Sequence, residues 1–194
     1  MIIDFKNILE YLKVKIPLIQ TSKDFKLVVS DHLYPVRRKS VNSISLGSLE
    51  VRLAKSNREI EAAQRLRYRV FYEEMGAVPD HAVSTSKLDI DKRDQEADHL
   101  IVFDRHTSGP PDDGISFAVV GTYRLLQTHH LGTQHSFYTA QEFDISKLLN
   151  FPGKIMELGR SCVDAKYRNR ATLQLMWQGI ASYISYNEID LMFG

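Results

Sequence analysis

The chain has 194 residues, 43% hydrophobic and 25% charged, with a formal net charge of +1. Those proportions fit one soluble globular domain, and near-neutrality removes the global positive field expected of a nucleic-acid binder. The single cysteine excludes an internal disulfide framework and fits a reducing, cytoplasmic setting; no apolar run reaches the roughly 18 residues of a membrane span.

In chain order, Ile2, Ile3, Phe5, Ile8, Leu9, Tyr11 and Leu12 fall near helical spacing, predicting an N-terminal helix ended by Pro17. Its apolar side chains cover much of the circumference. Such a helix is expected to dock on its own domain, with peripheral contact with a membrane as the alternative. Residues 32–47 hold Pro35, the basic run Arg37-Arg38-Lys39 and several Ser and Asn, and read as a linker. Residues 1–47 are thus an N-terminal extension, and residues 48–194 the domain proper.

Leu49 to Leu53 alternates as a strand does. Ser56-Asn57-Arg58-Glu59 has capping-box form and opens a helix carrying Ile60, Ala63, Leu66, Val70 and Phe71 on one side, with Gly76 as its end. Residues 77–97 read as a long polar loop with Asp89, Asp91, Asp94 and Glu96; loops of this length are often functional. Strands are expected at His99–Phe103 and Phe117–Leu126, and Thr139-Ala140-Gln141-Glu142 is a second capping-box form, opening a helix through Leu149. A helix over Thr172–Tyr186 and a strand over Ile189–Gly194 close the chain. The strand-helix-strand tail predicts a parallel crossover beside antiparallel strands, an α/β (α+β) fold.

Between the last two helices lies Glu157-Leu158-Gly159-Arg160-Ser161-Cys162-Val163, inside the apolar stretch Ile155–Val163. As a strand it places Glu157, Gly159 and Ser161 on one face and Leu158, Arg160 and Cys162 on the other. A charge in an apolar strand is costly unless paired or used. Glu157 is therefore a candidate general base and Arg160 a candidate anion holder, against the alternative of a structural ion pair. Cys162 reads as a small core residue rather than a nucleophile. His129, His130 and His135 lack zinc-site spacing, and no metal site is expected.

Several blocks together resemble the ornithine N-acyltransferases of bacterial ornithine-lipid synthesis. They are Leu49–Ala54, Gln64–Ala77, Asp98-His99-Leu100, Val120–Leu126, Ala140–Asp144, Glu157–Val163 and Ile189–Gly194. The resemblance implies an N-acetyltransferase-like (GNAT, acyl-homoserine-lactone-synthase-like) mixed sheet flanked by helices. It implies transfer of a 3-hydroxy fatty acyl group from acyl carrier protein to the α-amino group of ornithine, giving lyso-ornithine lipid, with no other cofactor. It also implies roles: Glu157 as base beside Arg160, and Asp91, Asp94 and Asp98 as holders of ornithine's cationic groups. Arg67, Arg69 and Arg124 read as organisers of the acidic loop or as bidentate carboxylate grips, against the alternative of a buried ion network for Arg67 and Arg69.

Coenzyme-A-dependent relatives place a glycine-rich turn where this chain has Tyr167-Arg168-Asn169-Arg170-Ala171-Thr172. Lys166, Arg168 and Arg170 suit an acidic carrier protein instead. More distantly, the blocks are similar to acyl-homoserine lactone synthases, which keeps another amine acceptor open; an inactive remnant is a third reading. The resembled family continues beyond Ile189–Gly194, so the sheet is expected to be incomplete at its C-terminal end. Leu191 and Phe193 would then lie on an unpaired edge, with poor solubility or oligomerisation of the 194 residues.

Overall fold

The computed structural model describes residues 2–4, 42–111, 114–128, 131 and 136–194. A seven-stranded sheet forms its centre, comprising β1 (Ile2–Asp4), β2 (Ile44–Leu46), β3 (Leu49–Leu53), β4 (Asp98–Asp104), β5 (Ala118–Gln127), β6 (Ile155–Val163) and β7 (Leu191–Phe193) in the order β1-β7-β6-β5-β4-β3-β2. All neighbours are antiparallel except β6 and β7, the parallel pair joined by the crossover helix α4 (Arg170–Asn187). The parallel crossover expected from the tail is therefore present.

Two corrections concern the sheet edges. Ile2–Asp4 is a strand rather than the first turn of a helix, and pairs antiparallel with β7, Ile2 opposite Phe193. It covers the β7 edge that the sequence pattern left open. The remainder of the expected N-terminal helix, the basic run at 37–39 and the histidines at 129, 130 and 135 lie outside the described residues. β2, read from sequence as linker, forms a hairpin with β3 through Gly47, whose φ of 61° suits a residue without a Cβ.

Helix α4 covers one face of the sheet. Its Leu175, Met176, Ile180, Tyr183 and Ile184 pack on Val51, Leu100, Val102, Leu125 and Met156, and Trp177 packs at the margin. Helix α1 (Asn57–Tyr68) covers the other, with Ala62, Ala63 and Leu66 against Ile101, Phe103, Val119 and Cys162. Ser56 caps α1 as expected, its hydroxyl accepting from the Glu59 amide at 3.3 Å. Glu59 turns away from the cap: its carboxylate takes the Lys55 amide at 2.6 Å and both Arg52 guanidinium nitrogens at 2.8 and 2.9 Å. The buried cation wins over the capping box because a charged, bidentate pair is stronger than one amide contact.

After Tyr68 the helix widens into a π-helical segment, Arg69–Glu74, and Gly76 ends it at φ 77°. The long loop that follows is not structureless. It holds helix α2 (His81–Ser86) and a 3₁₀ turn, Lys92–Gln95, closed by a capping box between Asp91 and Asp94. A short helix α3 (Ser146–Leu149) precedes β6.

Candidate active site

The site is organised by a bulge in β6. Arg124 pairs with Gly159 and Thr122 with Cys162, so Arg160 and Ser161 together face the single residue Tyr123. The extra residue is absorbed at Arg160, whose φ is 50°. One added residue reverses the in-out alternation beyond it. Leu158 accordingly packs on the α4 side and Cys162 on the α1 side. The expected sharing of one face by Leu158, Arg160 and Cys162 is corrected, and the bulge turns Arg160 toward the acidic loop.

That loop and three arginines form one ion-pair cluster. Arg67, from α1, holds Asp94 through two nitrogens at 2.6 and 3.2 Å and Asp89 through Nε at 2.9 Å, and also donates to the Asp89 carbonyl oxygen. Gln64 adds a hydrogen bond to Asp94 at 2.9 Å. Arg124 Nη1 lies 2.9 Å from Asp91 and 3.4 Å from Asp94. Arg160 reaches Asp89 at 3.4 Å and Asp91 at 3.3 Å, with its guanidinium carbon 5.4 Å from the centre of the Tyr138 ring. Tyr72 donates to Asp89 at 3.0 Å, and Arg93 sits at the rim, 3.9 Å from Asp91.

Burial alone would push the Asp94 carboxyl upward. The Arg67 guanidinium outweighs that and holds it at about 2. Burial likewise opposes the Arg160 charge, and Asp89 and Asp91 restore and raise it. His99, opposite Arg124 on β4, is pushed down by burial; its Nε2 donates to the Asp94 carbonyl at 2.9 Å and so fixes the neutral tautomer.

Glu157 is buried and its carboxylate is clamped. It accepts the Tyr138 amide at 2.8 Å, the Thr139 amide at 2.7 Å and the Thr139 hydroxyl at 2.5 Å. The expected cap of a helix through Leu149 is thereby corrected. Thr139 opens a separate 3₁₀ turn, Thr139–Gln141, and spends its hydroxyl on Glu157. A carboxylate offers about four acceptor positions, and three are used here.

Glu157, Arg160, Arg124, Tyr138, Thr139 and Phe143 line one cleft of about 240 Å³. Arg160 also lines a second hollow with Phe71, Tyr72, Met75 and Ala77. Of the residues singled out from sequence, the structure brings together Glu157, Arg160, Arg124, Arg67, Asp91 and Asp94. Asp98 is not with them: it is on the opposite face, accepting the Tyr183 hydroxyl at 2.6 Å. Among the described residues Arg69 joins none of the cluster's pairs. Arg168 is engaged by Glu74, with one nitrogen at 2.7 Å, and by the Val163 carbonyl at 3.0 Å, whereas Lys166 and Arg170 are exposed.

Sequence reasoning missed Asp89, Tyr138 and Thr139 as site residues. Asp89 could have been found from its spacing in the acidic loop; Thr139 could not, because its capping pattern pointed elsewhere. Cys162 is 6% exposed, and burial pushes its thiol up to about 12. It is expected to react with a thiol reagent at pH 8 only on unfolding, and Cys162→Ala to retain acyl transfer; rapid labelling of the folded protein would contradict this.

The family model described as acetyltransferase (GNAT) domain matches residues 66–178, and the chain belongs to that family. Within it, the chain is similar to L-ornithine N(alpha)-acyltransferases. It is 47% identical to that of Rhizobium meliloti and 46% to that of Agrobacterium fabrum, in each case over 77% of this chain and 50% of the relative. It is 44% identical to that of Brucella abortus, over 77% of this chain and 52% of the relative. The chain spans about half the length of the curated relatives it matches. No helix among the described residues is long and apolar enough to cross a membrane.

Proposed function

We propose that this chain transfers a 3-hydroxy fatty acyl group from acyl carrier protein to the α-amino group of ornithine, giving lyso-ornithine lipid. Identity of 44–47% to the three ornithine acyltransferases supports the reaction class. The observation that carries the chemical reading is the placing of Glu157 and Arg160 in one cleft.

An α-amino group with a pKa of about 8 is mostly protonated at pH 7 and cannot attack a thioester. Glu157 keeps one acceptor position after its three hydrogen bonds, and there it takes the ammonium proton. The freed nitrogen adds to the thioester carbonyl, and the C–S bond breaks to release the carrier's thiol and form the amide. The carboxylate is held rigid by Tyr138 and Thr139, so little reorganisation accompanies the transfer. Lys166 and Arg170 offer exposed cations to an acidic carrier protein, and Arg168 is balanced by Glu74.

The test incubates the purified protein with 3-hydroxyacyl-acyl carrier protein and ornithine, with mass spectrometry for N-acyl-ornithine. Product formation is expected. Hydrolysis without amide, or transfer to other amines in preference to ornithine, would overturn the reading.

A further inference from the structure

Three arginines face the aspartates of the acidic loop, and they are not equivalent. The side chain of Arg67 is 0% exposed, that of Arg124 3% and that of Arg160 27%. The contacts follow the same order. Arg67 approaches Asp94 to 2.6 Å and Arg124 approaches Asp91 to 2.9 Å, whereas Arg160 stays 3.3 and 3.4 Å from Asp91 and Asp89.

The arginine that is reachable is also the one the aspartates can spare. Without it, Asp89 keeps Arg67 at 2.9 Å and the Tyr72 hydroxyl at 3.0 Å. Asp91 keeps Arg124 at 2.9 Å and the Arg93 amide at 2.8 Å. Neither carboxylate is orphaned when Arg160 turns away. The same is not true of Arg67, whose departure would leave buried Asp94 with one weak cation.

We propose that Arg160 reads the carboxylate of the acceptor amino acid, exchanging its loose contact with Asp91 for a bidentate grip on the substrate. This deepens the function proposed above and rests on it. Arg160 borders the cleft that contains Glu157, so an α-carboxylate held there sets the adjacent α-nitrogen toward the proton acceptor. The acceptor class that follows is an α-amino acid, not a simple amine. Arg67 and Arg124, which the sequence also offered as carboxylate grips, are buried and stand closest to Asp94 and Asp91. They position the loop.

The experiment compares ornithine with its decarboxylated analogue, 1,4-diaminobutane, by titration calorimetry on the intact protein, Arg160→Gln and Arg160→Gly. Glycine suits the φ of 50° at this position, so that variant is expected to fold even where glutamine does not. The unmodified protein is expected to bind ornithine about tenfold or more tightly than the diamine, and the ratio to fall to about one in both variants. A ratio near one in the unmodified protein, or a preference that survives in the variants, overturns the proposal. The acyl-transfer assay on the same samples separates the two readings. Product with unchanged preference sinks the role of Arg160 alone; no product, with the expected binding pattern, sinks the reaction and leaves a carboxylate site.

Discussion

Glu157→Gln is expected to slow acyl transfer by roughly 10²–10⁴-fold, the usual contribution of a positioned general base. The substitution also perturbs structure, because an amide has one oxygen where the carboxylate uses two against Tyr138 and Thr139. Thr139→Ala separates the two effects: it removes the 2.5 Å hydroxyl contact and leaves the carboxylate in place. If Glu157 is the base, Thr139→Ala loses less than about tenfold, the worth of one hydrogen bond. If the carboxylate is only a clamp, both variants lose activity in parallel. Alkaline pH gives a second discrimination. The deficit of Glu157→Gln should shrink as the amine passes its pKa of about 8 and no longer needs a base. Rates from pH 6.5 to 9.5, with melting temperatures for both variants, provide the check.

Arg67→Met is expected to cost about 3–5 kcal/mol of stability, the range for breaking a buried ion pair from one side. The methionine fills much of the volume, so the loss is electrostatic: Asp94 and Asp89 remain buried with their main cation gone. Acid titration supplies an independent signature. Asp94 stands at about 2 in the fold against an ordinary 3.8. Its depressed pKa means that its contribution, roughly 2 kcal/mol, is complete above about pH 4 and disappears as pH falls toward 2. Urea unfolding at pH 7 and pH 3 should show the unmodified protein losing more stability between the two than Arg67→Met does. Equal losses would place the acid sensitivity elsewhere.

Asp98 and Thr139 show where a residue's type misleads. Asp98 stands among the spaced acidic residues of the sequence, yet β4 places its carboxylate on the α4 side, one sheet thickness from the cluster. Thr139 begins a capping-box pattern, but a buried carboxylate across the chain competes for the same hydroxyl and wins. Local pattern names the partners available nearby; it carries no information about a stronger partner 18 residues away.

The strands from β3 onward and the two large helices were legible because hydrophobic periodicity is written locally: the strand expected at Ile155–Val163 matches β6, and the helix expected at Thr172–Tyr186 lies within α4. The parallel β6–β7 crossover was legible too, since a strand-helix-strand run has few ways to close. Glu157 and Arg160 stood out as two charges inside an apolar strand, a placement that needs a partner or a purpose, and the structure supplies each with partners. What tertiary structure alone decided was their relation to everything else. The bulge at Arg160 depends on which residues of β5 it pairs with, and strand register is a property of two chain segments. The ranking of Arg67, Arg124 and Arg160 by burial, and the pairing of β1 over β7, depend equally on distant segments meeting. Composition and spacing determine which groups a chain can bring to a site; only the packed fold determines which of them are already spoken for.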